Sequence, residues 1–526
     1  MKKNNLILLF CFFLIVCLLT AGGRVASSDE NGFFLEVQSL VEQQTLAIPE
    51  GIINNGVYGK DGRYYLGGGI GFSLVALPFY IIGKLAIAIL PIPDAYHIFI
   101  LKGAFSLTNQ FLTALLAVMF FMYARSFNYS TRLAFFLTAA LIFSTNIFPY
   151  AKSAMREPLL TLSLLGIFFF LRQFELNRKI SFLHAAGFCF ALLIHTKLVF
   201  IVLLPVIAIY FSHTVNGPYL PWRSNWPKNL LSIMWNQTNS KFYFAMYLWL
   251  LVAFGGMALY NFVQFGNIFS SGYTEKGQPF TNPLWVGVYG LLFSSGKSFF
   301  LYAPVTVLTF VSFRNFAKEH RIEACVFVSI FLIMLIVHAK FFSWAGDGSW
   351  GPRYLIPLLP FCVVIAGKRL QNSLEQRRNF SKLAAIALFL LGIGIQTGGT
   401  SVYLGSYLRW IGEYPFTTNF SDPEFLYKSH FIPNYSPVTG HWKLLFVSLQ
   451  KHADGEIGPL SVTSDRQRIP LSENDQAKLP YLIDYWFMYA YYGGARPLWI
   501  IVAAAAGLVL TAFLGWRTCR KFCNPY

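Results

Sequence analysis

Charge is what this sequence is short of. Only 12% of its residues are Asp, Glu, Lys or Arg, against about 25% in soluble domains, which excludes an ordinary water-soluble enzyme. Acid is the scarcer sign, 23 residues against 41 Lys and Arg, for a formal net charge of +18. Cysteine is sparse as well. Cys11, Cys17, Cys189, Cys325 and Cys362 fall in apolar runs, and Cys519 and Cys523 lie in a short basic tail. No disulfide framework therefore staples an external domain. No His, Cys or Asp cluster has metal-ligand spacing, so no metal is expected, and neither an internal repeat nor a low-complexity tract is present.

What the chain has instead is apolar sequence, 55% of its 526 residues, gathered in long runs of the kind that form spanning helices. It reads as an all-α polytopic integral membrane protein. In that setting the positive excess marks loops retained in the cytoplasm, and nucleic-acid binding is a poor reading of it.

Charge also sets the topology. Lys2 and Lys3 precede the run Leu6–Thr20, followed by Ala21-Gly-Gly-Arg-Val-Ala-Ser-Ser. That order also fits a signal peptide cut near Ala26; an uncleaved first helix is the reading adopted, and residues beyond Arg24 lie outside in either case. The run Gly69–Leu90 could be a second span. It would then export the loop Arg125–Arg132 and the five basic residues between Lys368 and Lys382, against the usual bias. Laid along the outer interface as a juxtamembrane helix, it resolves the parity. The run Phe182–Phe211 is interrupted by His195-Thr196-Lys197. As one helix it would measure about 45 Å, too long for a layer of about 30 Å, so two short helices meeting at the outer surface are expected.

About twelve transmembrane helices result, at 6–23, 98–124, 133–150, 158–171, 181–194, 198–213, 242–262, 298–313, 323–342, 353–367, 383–403 and 497–516. Both termini fall in the cytoplasm. The expected organisation is a transmembrane module at 1–403 with a first external loop at 24–97. A small extracytoplasmic segment at 404–495 follows, and then a last helix and basic tail at 496–526. The loops 151–157, 263–297 and 343–352 face the same outer side.

The first acids after helix one are Asp29 and Glu30. Either they are a solvated loop pair, or Asp29 is a general base held where a lipid headgroup would sit. Partial desolvation there raises carboxylate basicity and suits proton abstraction from a hydroxyl. Further along come Gly59-Lys-Asp-Gly-Arg-Tyr-Tyr-Leu-Gly-Gly-Gly-Ile-Gly, the segment ending Phe79-Tyr-Ile-Ile-Gly83 and the outer Arg156-Glu157-Pro158. His195-Thr196-Lys197, Leu301-Tyr-Ala-Pro304 and Gly351-Pro-Arg-Tyr354 complete the order. Over roughly residues 1–360 this succession resembles the GT-C glycosyltransferases, in the group containing protein O-mannosyltransferases and lipid A aminoarabinose transferases.

The resemblance implies a GT-C-like fold and an inverting glycosyltransferase. Such an enzyme moves a hexose or pentose from a polyprenyl-phosphate donor to an acceptor hydroxyl on a lipid, glycan or protein, at the outer face and without metal or other cofactor. It also implies that Asp29 is the catalytic base, with Glu30 in support. Negative charge building on the departing phosphate calls for preorganised cations. Candidates for binding donor phosphate or substrate are Lys60, Arg63, Tyr64, Tyr65, Arg156, Glu157, Lys197, Lys297 and Arg353. Arg156 and Lys197 rank first, because ionisable groups beside apolar runs are costly without partners. Where the family often places a lysine after the aromatic pair, this chain has Gly67, Gly68 and Gly69. The alternative reading is a transporter or flippase for lipid-linked sugars, which would show broken helices or charges near the bilayer midplane. The lack of external cysteine pairs is compatible with a bacterial inner membrane.

Overall fold

A computed structural model describes residues 3–51, 56–217, 239–275, 277, 279–375, 379–415, 419, 422–460, 472–494 and 496–523. Helix α1 (Lys3–Leu19) leads to α2 (Ser28–Glu42), to a hairpin of β1 (Gly56–Tyr58) and β2 (Tyr64–Leu66), and to α3 (Gly71–Ile89). The hairpin pairs Val57 with Tyr65. Helices α4 (His97–Ser126) and α5 (Thr131–Phe143) follow, and α6 (Ile147–Ala151) continues α5 after a break at buried Ser144, Thr145 and Asn146. The expected span 133–150 is thus two pieces. Helices α7 (Glu157–Asn177) and α8 (Ile180–Thr196) form a tight pair, with Arg178 turning the chain at φ 54°. A 3-10 stretch over Leu198–Leu203 then leads into α9 (Leu204–Asn216). As expected, the chain breaks between α8 and α9, with Lys197 extended at φ −155° and ψ 107°.

The second half runs through α10 (Ser240–Phe265), α11 (Leu284–Phe293), α12 (Leu308–Glu319), α13 (Arg321–Lys340), α14 (Leu359–Glu375) and α15 (Asn379–Ser401). After it come α16 (Pro437–Ala453) in the segment expected outside, and α17 (Pro497–Cys523). The span expected at 298–313 is corrected: Phe299–Tyr302 is a short helix, Pro304–Val307 a 3-10 turn, and α12 begins only at Leu308. Proline at 304 lacks the N–H that would continue the first turn.

Polar contacts define one end of the bundle. Arg172 of α7 donates to the Ser126 carbonyl at the end of α4 at 2.9 Å and pairs with Glu323 at the start of α13. Lys368 of α14 pairs with Glu319 of α12 at 2.7 Å, and Arg178 reaches the Thr214 carbonyl of α9 at 2.8 Å. Arg377 and Arg378 lie outside the described residues. Asp29, Arg156, Lys197 and Arg353 start or follow helices at the opposite end.

Among the described residues nine helices are long and apolar enough to cross a membrane, and four further apolar helices are shorter. Helix α3 counts among the nine by length and composition, yet it does not run from one end to the other. Gly71 at its start meets Thr196 at the end of α8, and Gly83 meets Leu101 and Ala104 near the start of α4. Both contacts belong to the end that carries Asp29, so α3 lies across that end, with Phe72 and Tyr80 buried against Phe33, Phe34 and Phe105. Short α11 also sits there, its Gly287 against the Ala339 carbonyl.

Candidate active site

The first turn of α2 places the acids. Ser27 caps the helix, its Oγ accepting from the Glu30 N–H at 3.2 Å, while Glu30 Oε2 accepts from the Ala26 N–H at 2.9 Å. This reciprocal cap satisfies donors the helix cannot use itself and puts Asp29 at the positive end of the helix dipole. Arg156 is the N-terminal flank of α7, Lys197 the extended link after α8, and Arg353 the first residue of a 3-10 turn over Arg353–Leu358. Three helix starts and one helix end therefore converge.

They surround a cavity of about 570 Å³, lined by Asp29, Glu30, Gly68, Lys152, Arg156, Lys197, Tyr273, Asp347, Arg353, Tyr354, Tyr403 and Asp484, among others. Arg353 Nη1 donates to Asp29 Oδ2 at 2.9 Å, and its Nη2 stands 4.0 Å from Asp347 Oδ2. Arg156 donates to the Tyr273 hydroxyl at 3.2 Å. Lys197 Nζ lies 4.0 Å above the Tyr354 ring, and among the described residues it makes no hydrogen bond. Tyr354 in turn stacks on His338 at 4.6 Å. Such a cavity suits an anion, with the guanidiniums of Arg156 and Arg353 and the amine of Lys197 in its wall.

The charges perturb one another. Burial opposes ionisation of Asp29, but Arg353, Arg156 and Lys197 outweigh it and hold the carboxyl below the ordinary carboxylate range. The expected rise in its basicity is therefore reversed while those cations are unoccupied. Burial pushes Glu30 and Asp347 up. Lys197 is held well below an ordinary lysine, first by burial and then by Arg156 and Arg353.

Of the residues expected from sequence, Asp29, Glu30, Arg156, Lys197 and Arg353 share this cavity. Glu157 is buried beside Arg156, and among the described residues its Oε2 has no hydrogen-bond partner. Lys297 is placed behind the wall. It donates to the carbonyls of Asp347 at 2.9 Å and Ser349 at 2.6 Å, and burial lowers its amine to about 7. It holds a loop. Lys60 sits on the Phe262 carbonyl at 3.2 Å, Arg63 pairs with Asp61 at 3.7 Å, and the Tyr65 hydroxyl donates to Asp61 at 2.8 Å. With Tyr64 these stay on the hairpin and do not line the cavity. The glycines after it have a packing reason, since a Cβ on Gly69 would collide with the His195 carbonyl.

Sequence reasoning missed a second group. Asp484 receives Arg24 Nε at 3.1 Å and Nη2 at 2.9 Å, the Tyr489 hydroxyl at 2.9 Å, and Lys152, which also donates to the Thr400 carbonyl at 2.6 Å. Arg24 is sandwiched 4.6 Å from the rings of Tyr403 and Tyr489. Asp484 lies in the segment expected outside at 404–495, and its cationic partners lie hundreds of residues away, so no local signal marked it. Asp347 had a weak signal: an acid between two glycines, just before Gly351-Pro-Arg-Tyr354.

No family model matches the chain, and no curated protein does. Among solved structures the chain is similar to one with a lipid carrier bound. It is the crystal structure of ArnT from Cupriavidus metallidurans bound to undecaprenyl phosphate, at 12% identity over 96% of this chain and 88% of that chain, with a TM-score of 0.46. A likeness at that level assigns no residue role and no substrate to this chain.

Proposed function

We propose that the protein is a GT-C-like membrane glycosyltransferase that moves a sugar from a polyprenyl-phosphate donor to an acceptor hydroxyl, with inversion at the anomeric carbon. One observation carries the reading: Asp29, in the first turn of the helix that follows α1, is bonded to Arg353 in a cavity where Lys197, among the described residues, donates no side-chain hydrogen bond. In the reaction the acceptor oxygen bonds to the anomeric carbon, its proton passes to Asp29, and the bond to the carrier phosphate breaks with its electron pair on the phosphate oxygen. Arg353, Arg156 and Lys197 are the groups suited to that growing charge. A phosphate seated on Arg156 and Lys197 also offsets part of the field that depresses Asp29, so donor binding restores its strength as a base. Glu30 supports the turn that aims it.

On this reading the cavity faces the extracytoplasmic side of a bacterial inner membrane, both termini are cytoplasmic, the carrier lipid is a co-substrate, and no metal is required. A transporter of lipid-linked sugars is the competing reading, and the gathering of cavity charges at one end of the bundle argues against passage. The test is transfer from radiolabelled polyprenyl-phosphate sugars in membranes. Loss of transfer in Asp29→Asn at normal expression supports the enzyme; label crossing the bilayer undiminished in that variant refutes it.

A further inference from the structure

The cavity contains a carboxylate that the proposed reaction does not use. Asp347 sits in Gly346-Asp347-Gly348 at the cavity wall, with its own backbone at φ +58°, and Gly346 before it at φ +71°. A residue with a side chain adopts that region at some cost, and such residues gather where a loop is held for a purpose. Here the holding is visible. Lys297 spends its donors on the carbonyls of Asp347 and Ser349 and on Ser349 Oγ at 3.2 Å. Trp344 of the same loop packs against His430 and Phe431.

The side chain is aimed as well. Ser343 Oγ donates to Asp347 Oδ1, while Oδ2 faces Arg353 Nη2 at 4.0 Å, beyond hydrogen-bond reach. The guanidinium thus stands between two carboxylates, within hydrogen-bond distance of Asp29 and not of Asp347. Asp347 Oδ2 is left as an acceptor open to the cavity, on a side chain 33% exposed. A carboxylate repels phosphate, so the ligand group it suits is a hydroxyl donor. Its neighbourhood also pushes it opposite to Asp29, burial raising Asp347 where the cations lower Asp29. Two carboxyl groups driven apart in this way take separate tasks.

We infer that Asp347 grips a hydroxyl of the donor sugar and so acts as a specificity-determining residue, separate from the phosphate-binding cations. The inference rests on the proposed glycosyltransferase reading and goes beyond it, because it divides the cavity into a phosphate part and a sugar part.

The experiment uses the full-length protein in lipid nanodiscs, titrated with polyprenyl phosphate alone and with polyprenyl-phosphate hexose and pentose. Asp347→Asn keeps the shape and tolerates positive φ. It is expected to bind bare polyprenyl phosphate within about twofold of wild type and at least one sugar-bearing donor about tenfold more weakly, the worth of one hydrogen bond to a charged group. Ser343→Ala, which frees the carboxylate from its aim, is expected to shift the same ratio in the same direction by a smaller factor. Arg156→Gln is expected to weaken both ligands together. Equal binding of bare and sugar-bearing carriers by Asp347→Asn and wild type overturns the inference and leaves the phosphate reading standing. Wild type that binds neither carrier overturns both. If Asp347→Asn loses bare-carrier binding too, Asp347 is part of the loop's structure and the inference fails.

Discussion

Arg353 is the residue whose removal separates the proposed roles most sharply. Its Nη1 lies 2.9 Å from Asp29 Oδ2, with side-chain exposures of 10% and 15%, so the pair is shielded and its loss is not masked by solvent screening. Arg353→Gln removes a charge-assisted donor from the departing phosphate, a change of about 10²–10³ in rate by analogy with lost oxyanion donors. It also removes the leading opponent of burial at Asp29. The sign follows directly. Wild-type Asp29 is ionised down to below the ordinary carboxyl range near pH 4, so the rate holds on the acid side until then. In Arg353→Gln only Arg156 and Lys197 oppose burial, the carboxyl titrates higher, and the acid limb moves up in pH. Single-turnover transfer from a radiolabelled polyprenyl-phosphate sugar, followed between about pH 4 and 9, reads both effects. A variant slowed equally at every pH would show that the titrating group is not Asp29, and the proposed base would have to be abandoned.

Four other variants probe the frame. Glu36 is fully buried, bonded to Ser73 and to Tyr260 at 3.0 Å, and burial lifts it to about 7. Its charged form costs stability as pH rises from the unfolded value near 4 to about 7, so Glu36→Gln should stabilise the fold at pH 8 by at most about 3 kcal/mol, seen as a higher melting temperature, and not at pH 4. Asp484→Asn leaves Arg24 and Lys152 facing each other without an anion; a loss of about 3–5 kcal/mol is expected, seen as a lower melting temperature in detergent. Because Arg24 and Lys152 hold that carboxyl far down against burial, its contribution is present above about pH 4 and fades below it. Finally, Lys60→Ala and Arg63→Ala, both away from the cavity, should leave transfer within about twofold and stability within about 0.5 kcal/mol.

The apolar runs made most of the architecture readable, because each spanning helix must satisfy its own backbone and so must be long and apolar. The break at His195–Lys197 was legible from length alone. The break after Ala303 was not, since Pro304 is compatible with a first helical turn as well as with an interruption. Asp29, Arg156, Lys197 and Arg353 were legible as candidates because ionisable groups at the rims of apolar runs are few. Their convergence was not, as Asp29 and Arg353 are joined across 324 positions. For the same reason Lys60 and Lys297 could not be told from Lys197: all three border apolar runs or loops on one face, and only packing decides which amine keeps its donors free.

Because α3 begins and finishes at one rim of the bundle, the stretches flanking it belong to a single compartment. A topology reporter spliced after Glu42 and another spliced after Leu90 would be lit by the same aqueous space, although hydropathy alone would assign them to opposite ones. On the proposed reading a lipid-borne carrier would reach the cavity from the plane of the membrane, in numbers set by its density per unit area.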